Sequence, residues 1–122
     1  MLNKSKSAGK KGEDLACKLL KKDKYKILEK NYRCRQGEID IITEDRKGVL
    51  CFVEVKARSS ENFGLPIEAV THRKQKKLLA TAFIYLESKK IKSKDMRFDI
   101  VSVDLVNEET KIIKNAFDVN YY

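Results

Sequence analysis

Charged side chains recur at a spacing of two residues in two neighbouring segments of the sequence. Glu38 and Asp40 form one such pair, and Glu54 and Lys56 form the other. Because side chains alternate between the two faces of a β-strand, the members of each pair share a face. Carboxylates beside an ammonium group can bind a hard divalent cation and stabilise charge that builds up on a phosphate. The pattern therefore indicates metal-dependent chemistry on a phosphate ester, provided that the two pairs meet.

The residues around the two pairs predict a β-hairpin. The segments from Glu38 to Thr43 and from Val49 to Ala57 are rich in Ile, Val and Phe, which is typical of strands. If Asp45 begins a type I turn that ends with Gly48 in the left-handed conformation, the hairpin has a three-residue loop. Asp45 then faces Val49, and this fixes the register of the whole pair.

In that register Asp40 lies directly opposite Glu54, with their Cβ atoms about 4.5–5.5 Å apart, and Lys56 lies opposite Glu38. A slip or a bulge would move Asp40 to the other face. Opposed carboxylates repel each other, and Mg²⁺ or Mn²⁺ would resolve the conflict while leaving positions for water and a phosphate oxygen. Lys56 could orient that water or neutralise charge in the transition state. The alternative is an ordinary exposed strand face, on which Lys56 pairs with Glu38 or Glu54.

Two helices are predicted to position this hairpin. Small and apolar residues recur at helical spacing from about Ser7 to Lys24, which predicts an amphipathic first helix, and a strand is expected from Tyr25 to Arg35. Pro66 can open a short helical turn. Thr71 can N-cap a long second helix whose buried stripe consists of Gln75, Leu78, Leu79, Ala82 and Leu86.

The last third of the chain completes the sheet. Arg97 to Val106 is a nearly continuous apolar run, as expected of a strand covered on both faces, and a short final strand is expected around Ile112 and Ile113. The second helix is long enough to be a crossover, so the Arg97 to Val106 strand can run parallel to the third strand. We therefore expect an α/β fold with a mixed sheet, in a single domain spanning residues 1–122.

Composition points to a polyanionic partner. Lys and Arg total 27 against 18 Asp and Glu, which gives a net charge of +9 and is common among nucleic-acid binders. The alternative is a solvated, lysine-rich surface. The basic residues expected to contact phosphates fall in short groups, several of which flank the proposed site; they are Lys10, Lys11, Arg33, Arg35, Arg58, Arg73, Lys74 and Lys77.

Other kinds of site find little support in the sequence. The three cysteines show no paired spacing and are accompanied by one histidine, so neither a disulfide framework nor a zinc knuckle is indicated. No stretch approaches the roughly 18 apolar residues of a membrane span, so a cytoplasmic protein without a membrane partner is expected.

Several motifs together resemble a known group of proteins. Gly37-Glu38-Ile39-Asp40 followed by Phe52-Val53-Glu54-Val55-Lys56 resembles the signature of the PD-(D/E)xK nuclease superfamily, in the branch of the archaeal Holliday-junction resolvases. The resemblance to the YraN-like uncharacterised bacterial family is closer and covers nearly the whole chain. It includes Gly9-Lys10-Lys11-Gly12-Glu13, Asn31-Tyr32-Arg33, Lys74-Gln75 and Arg97-Phe98-Asp99. Ile39 stands where the superfamily has proline, and Ala57 replaces an expected threonine.

The resemblance implies a restriction-endonuclease-like αβββαβ core, with a mixed central sheet flanked by helices. It implies that Asp40 and Glu54 bind Mg²⁺ or Mn²⁺, and that Lys56 assists hydrolysis. Glu13 matches the acid that the first helix often contributes, although an acid near a helix start can also serve the helix dipole. The implied activity is a nuclease acting on DNA rather than RNA, with branched or damaged DNA among the candidates and a homodimer as one arrangement. A non-cutting nucleic-acid-binding module is the alternative.

Gln75 is an amide at the head of an apolar stripe. It is therefore either a polar group that meets the catalytic site or simply a first-turn residue that precedes the buried part of the helix.

Overall fold

The computed structural model describes residues 4–59 and 70–117. These residues form two helices and five strands, and the predicted turn at Pro66 lies outside them. The elements follow one another as α1 (Lys4–Lys22), β1 (Lys26–Cys34), β2 (Gly37–Glu44), β3 (Leu50–Arg58), α2 (His72–Ser88), β4 (Met96–Asp104) and β5 (Glu109–Ile113). The helices and strands predicted from the sequence are all present, with ends that differ by a few residues.

The strands form one mixed sheet in the order β1-β2-β3-β4-β5. β1, β2 and β3 are joined antiparallel, β4 runs parallel to β3, and β5 returns antiparallel to β4. The parallel pair requires a crossover between β3 and β4, and α2 lies in that connection. The α/β fold with a mixed sheet is confirmed and is compatible with a restriction-endonuclease-like core, to which β5 adds an edge strand.

The helices cover opposite faces of the sheet. Residues of α1 such as Ala16 and Leu20 pack with Ile41, Val53 and Val101. The opposite face is covered by α2, whose side of the core includes Leu78, Leu79, Ala82 and Tyr85 together with Ile42, Phe52 and Phe98. Since Phe98 and Val101 of β4 belong to different clusters, this strand is buried on both faces, as its apolar run predicts.

The hairpin between β2 and β3 has the predicted turn. Asp45 N donates to Val49 O at 3.0 Å, and Gly48 N donates to Asp45 O at 3.1 Å. Gly48 has φ +84°, a left-handed conformation that favours glycine. The register follows from this turn, since Ile42 pairs with Phe52 and Ile41 with Val53. The predicted register is therefore confirmed as far as Ile41.

Gly12 allows α1 to approach the sheet closely. A Cβ atom at Gly12 would lie 2.7 Å from the Cβ atom of Ala57 on β3, closer than two carbon atoms can pack. A residue with a side chain at this position would push the helix outward. The contact sets the distance between the sheet and Glu13, the next residue of the helix.

The described part of the chain contains no helix that is long and apolar enough to cross a membrane.

Candidate active site

Asp40 marks the point where β2 leaves β3. The backbone ladder between the strands ends at the pair of Ile41 and Val53. One residue further on, the Val55 N–H donates to Asp40 Oδ2 at 2.8 Å. A carboxylate oxygen thus takes the place that a backbone carbonyl would occupy in a continued ladder, which satisfies the strand amide. Asp40 is therefore held in place by a main-chain donor, and it is not a member of a regular cross-strand pair.

Glu54 lies against Asp40 in a poorly hydrated position. Its side chain is only 11% exposed. Burial raises the pKa of Glu54 to about 8, and the hydrogen bond and negative charge of Asp40 act in the same direction. Glu54 therefore keeps its proton to a higher pH than an ordinary glutamate does. The hairpin register predicted from the sequence already places these two acids close together. The structure adds the burial of Glu54, which disfavours the charged form of its carboxyl group.

Two lysines lie next to Glu54. Lys74 Nζ of α2 is 3.6 Å from Glu54 Oε2. Burial lowers the pKa of Lys56 to about 8, and the neighbouring Lys74 lowers it further, whereas Glu54 opposes the shift. Lys74 is expected from the sequence only as a phosphate contact. The structure places it beside the acids, through the packing of α2 on the sheet.

The acids open into a cleft between the start of β2 and the first turns of α2. Its volume is about 230 Å³, and its lining includes Asp40, Glu54, Lys74 and Lys77. Acidic groups thus lie at the sheet and basic groups on the helix. A phosphate entering the cleft would meet the lysines, while a cation at the sheet would meet the carboxylates.

Glu13 approaches the same region from α1. Burial raises the pKa of Glu13, and the charge of Asp40 raises it further, whereas a side-chain hydrogen bond with Asn31 lowers it. Asn31 has φ +53°, a conformation that asparagine adopts more readily than most residues. The sequence indicates Asn31 only as part of a motif and does not predict this contact, because no local pattern relates β1 to α1.

Glu38 does not meet Lys56 as the extrapolated register predicts. The ladder between β2 and β3 stops before it reaches either residue, and Glu38 instead faces Arg33 of β1. Arg33 Nε lies 3.4 Å from Glu38 Oε2. The expectation that Lys56 faces Glu38 is therefore wrong, because β2 diverges from β3 at Asp40.

Gln75 is tied to the chain before α2. Its Nε2 donates to Val70 O at 3.1 Å, and its N–H donates to Thr71 O at 2.8 Å. Gln75 is not among the described residues that line the cleft. These two hydrogen bonds are typical of a first-turn residue, and a catalytic role stays a prediction.

The remaining residues expected to contact nucleic acid differ in their exposure and partners. Lys10, Arg35, Arg73 and Lys77 are exposed. Lys11 is also exposed, but its Nζ is engaged at 3.2 Å by Glu108 Oε2. Arg58 is partly buried at the end of β3, where its positive charge contributes to the lowered pKa of Lys56.

The acid pair fits the requirements of a hard divalent cation. Mg²⁺ usually takes one or two protein carboxylates and keeps several waters, and Asp40 and Glu54 supply two neighbouring carboxyl groups whose mutual repulsion a cation would relieve. Within residues 4–59 and 70–117, no three His, Cys, Asp or Glu side chains are grouped closely enough to hold a metal. Glu13 as a third ligand thus stays a prediction.

The Arg97-Phe98-Asp99 motif does not belong to this cleft. Arg97 lies at the start of β4, beside Asp45 in the hairpin turn, and its Nη1 donates to Asp45 Oδ2 at 2.8 Å. This is the other end of β3 from Lys56.

Comparison with known proteins identifies close relatives. The model of the uncharacterised protein family UPF0102 matches residues 12–103. A UPF0102 protein of Persephonella marina is 48% identical over 113 residues, which covers 93% of this chain and 95% of the relative. A UPF0102 protein of Syntrophus aciditrophicus is 46% identical, and the match covers 93% of this chain and 90% of the relative. One of Acetivibrio thermocellus is also 46% identical, and the match covers 94% of each chain.

One solved structure shows a distant similarity to this chain. The structure of Pyrococcus furiosus SfsA in complex with Ca²⁺ is similar over 90% of this chain and 62% of that chain, at 14% identity and a TM-score of 0.31. This level of similarity supports no conclusion about fold or function.

Proposed function

This chain belongs to the uncharacterised protein family UPF0102, and from its site we propose that it is a metal-dependent nuclease that hydrolyses phosphodiester bonds of nucleic acid. The observation that carries the proposal is the meeting of Asp40 and Glu54 at the point where β2 and β3 separate. Two carboxyl groups this close repel each other when both are ionised, so their presence calls for a ligand that offsets the repulsion.

Asp40 and Glu54 would hold Mg²⁺ or Mn²⁺. When bound, the cation supplies Lewis acidity toward a phosphate oxygen and toward an attacking water. The hydrogen bond from Val55 N–H orients the Asp40 carboxylate before any ligand arrives. Such preorganisation reduces the reorganisation that binding would otherwise require.

Lys56 and Lys74 would act on the phosphate. Both ammonium groups lie beside Glu54, in a partly buried setting where a charge interacts more strongly than it does in water. Lys74 lines the cleft and can bind a non-bridging oxygen of the substrate. Lys56 is half-buried beside the acids and can neutralise the charge that develops in the transition state. DNA, including branched or damaged forms, is the proposed substrate.

A cleavage panel tests the proposal. Single-stranded, duplex, flapped and four-way DNA, with RNA counterparts, would be incubated with Mg²⁺, with Mn²⁺ or with chelator. We expect cleavage of at least one DNA substrate with metal and none with chelator. The double variant Asp40→Asn/Glu54→Gln is the control for contaminating nucleases, because it keeps the shapes of both side chains. Binding of DNA without cleavage under every condition would overturn the nuclease and leave the non-catalytic binding module.

A further inference from the structure

A second cleft lies at the other end of β3 from the acid pair. It has a volume of about 550 Å³ and is formed where α1 ends, the hairpin turn projects and β4 begins. Besides Arg97, five cationic side chains from three parts of the chain line it: Lys22, Lys24, Arg46, Lys47 and Lys114. We refer to it as the distal cleft.

Arg97 forms a fixed part of the lining of the distal cleft. Its Nη1 donates to Asp45 Oδ2 at 2.8 Å, its Nε to Asp99 Oδ1 at 3.0 Å, and its Nη2 to Tyr25 OH at 2.8 Å. Hydrogen bonds among the described residues thus occupy three of the five guanidinium N–H groups. The side chain is 18% exposed, so a rigid positive group with spare donors borders the cleft.

Two acids at the distal cleft, Asp45 and Asp99, are engaged by other partners. Asp45 Oδ1 accepts hydrogen bonds from the N–H groups of Lys47 and Val49, each at 2.9 Å, and its Oδ2 is taken by Arg97. Asp99 is fully buried beneath Arg97. In the part of the chain that the structure describes, none of the five lining cations forms an ion pair. Asp23 also lines the cleft, but the cations outnumber the acids, so the cleft presents net positive charge on a rigid base.

Helix electrostatics accounts for only part of this charge. Lys22 lies in the last turn of α1, where cations compensate the helix dipole, and Lys24 follows just after it. Arg46 and Lys47 lie in the hairpin turn and Lys114 follows β5, so none of these three has a helix end to compensate. Their convergence requires another explanation.

We propose that the distal cleft is a second anion site, which binds phosphate groups of the nucleic-acid backbone away from the bond that is cut. The proposal rests on the proposed function. Tyr25 is buried under Arg97 and offers no exposed ring on which a base could stack, which favours backbone over base recognition. Val49 lines the distal cleft and Glu54 lines the cleft of the acid pair. They are five residues apart along the strand, which corresponds to about 17 Å at ~3.4 Å per residue. About five base pairs of duplex span that distance.

Charge reversal tests the distal cleft. The variant Lys47→Glu/Lys114→Glu is compared with Lys92→Glu/Lys111→Glu, which replaces exposed lysines elsewhere and gives the same net charge. Binding of a duplex of about 30 base pairs is measured by fluorescence anisotropy in chelator over a salt series. We expect the distal variant to lose about tenfold or more in affinity, and its log–log salt slope to fall by about 1.8 for two lost phosphate contacts.

Further measurements separate the possible outcomes. Single-turnover cleavage at saturating DNA should match the wild-type rate, since neither lysine lies near the acids. Equal duplex affinity in both double variants would overturn the distal site without touching the nuclease, whereas a distal-specific loss in a protein that never cuts would support the site and remove the nuclease. Titration with pyrophosphate distinguishes a site for a free phosphate compound from a site for the nucleic-acid backbone. If the distal variant loses saturable pyrophosphate binding but keeps its duplex affinity, the proposal of backbone binding is overturned. Matched unfolding curves and the milder Lys47→Ala/Lys114→Ala variant exclude misfolding as the cause.

Discussion

The carboxylate of Asp40 accepts a hydrogen bond of 2.8 Å from the backbone N–H of Val55, across the gap where β2 leaves β3. One residue therefore has two tasks, since it closes the sheet ladder and presents a negative charge to Glu54. Substitutions at Asp40 can separate these tasks, because asparagine keeps an acceptor oxygen and loses the charge.

Asp40→Asn should abolish metal-dependent cleavage while leaving stability unchanged or higher. The amide oxygen still accepts from Val55, and the repulsion against Glu54 is gone. Affinity for nucleic acid in chelator should stay the same or rise, because one negative charge in the cleft has been removed. Mn²⁺ calorimetry, anisotropy and chemical denaturation measure the three effects. Asp40→Ala is the matched control and should lose about 1–3 kcal/mol, since it orphans the Val55 N–H. An Asn variant that cuts at the wild-type rate would contradict the assignment.

Lys56→Ala should keep metal binding and lose rate. An ammonium group that acts on the transition state contributes about 10²–10³-fold, by analogy with one preorganised donor. Duplex affinity should weaken only modestly. Single-turnover kinetics with saturating metal separates rate from binding, and Lys92→Ala serves as the surface control. Restoration of the wild-type rate by raised Mn²⁺ alone would show that Lys56 acts through the metal site and not on the phosphate.

The stability of the metal-free protein should depend on pH through Glu54. Its folded-state pKa of about 8 lies above the ordinary value of 4.5. The native state therefore holds this proton more tightly than the unfolded chain does, so the stabilisation is present below pH 4.5 and is lost as pH rises to about 8. Glu54→Gln should flatten the decline in that window, as judged from urea unfolding at each pH. Parallel curves for wild type and variant would contradict the raised pKa.

Lys56 should make the stability of the metal-free protein depend on pH in the next higher pH range. Its folded-state pKa of about 8 lies below the ordinary value of 10.5, so its stabilising contribution is present above pH 10.5 and is lost as pH falls to about 8. Glu54 and Lys56 together thus predict a local stability minimum near pH 8, which saturating Mg²⁺ should raise. The variant Lys56→Met should flatten the alkaline limb and, because Lys56 lowers the pKa of Glu54, shift the acid limb to higher pH in the same urea series. An effect confined to acid pH would contradict the assignment.

Gly12→Ala should destabilise the fold even though alanine is the better helix former. The added Cβ would meet the Ala57 Cβ at 2.7 Å, and overpacking of this kind costs about 1–3 kcal/mol, against a gain of about 1 kcal/mol in helix propensity. Ala57→Gly in the same chain should recover much of the loss, whereas Gly9→Ala, which meets nothing within 4 Å, should not destabilise. Denaturant midpoints of the four proteins decide. Failure of the Ala57→Gly rescue would contradict the close approach.

Local chemistry made the hairpin predictable. Asp45 and Gly48 specify a turn, the turn sets the register, and the register brings Asp40 toward Glu54. Extrapolation of the same register to Glu38 and Lys56 failed, because a carboxylate can replace a backbone acceptor and end a ladder early. A sequence pattern predicts which face of a strand a residue occupies, but it does not predict where the pairing of two strands ends.

The sequence by itself determined the elements, their order, the mixed sheet and the two segments that carry the acids. These follow from periodicity, turn residues and short-range pairing, whose partners are close along the chain. Only the tertiary structure decided that Lys74 reaches Glu54, that Asn31 holds Glu13, and that Arg97 and Asp45, 52 residues apart in the chain, build the base of the distal cleft. Those contacts depend on how each helix docks on the sheet and how β4 aligns with β3. Both are set by side-chain packing in three dimensions, which no local spacing specifies.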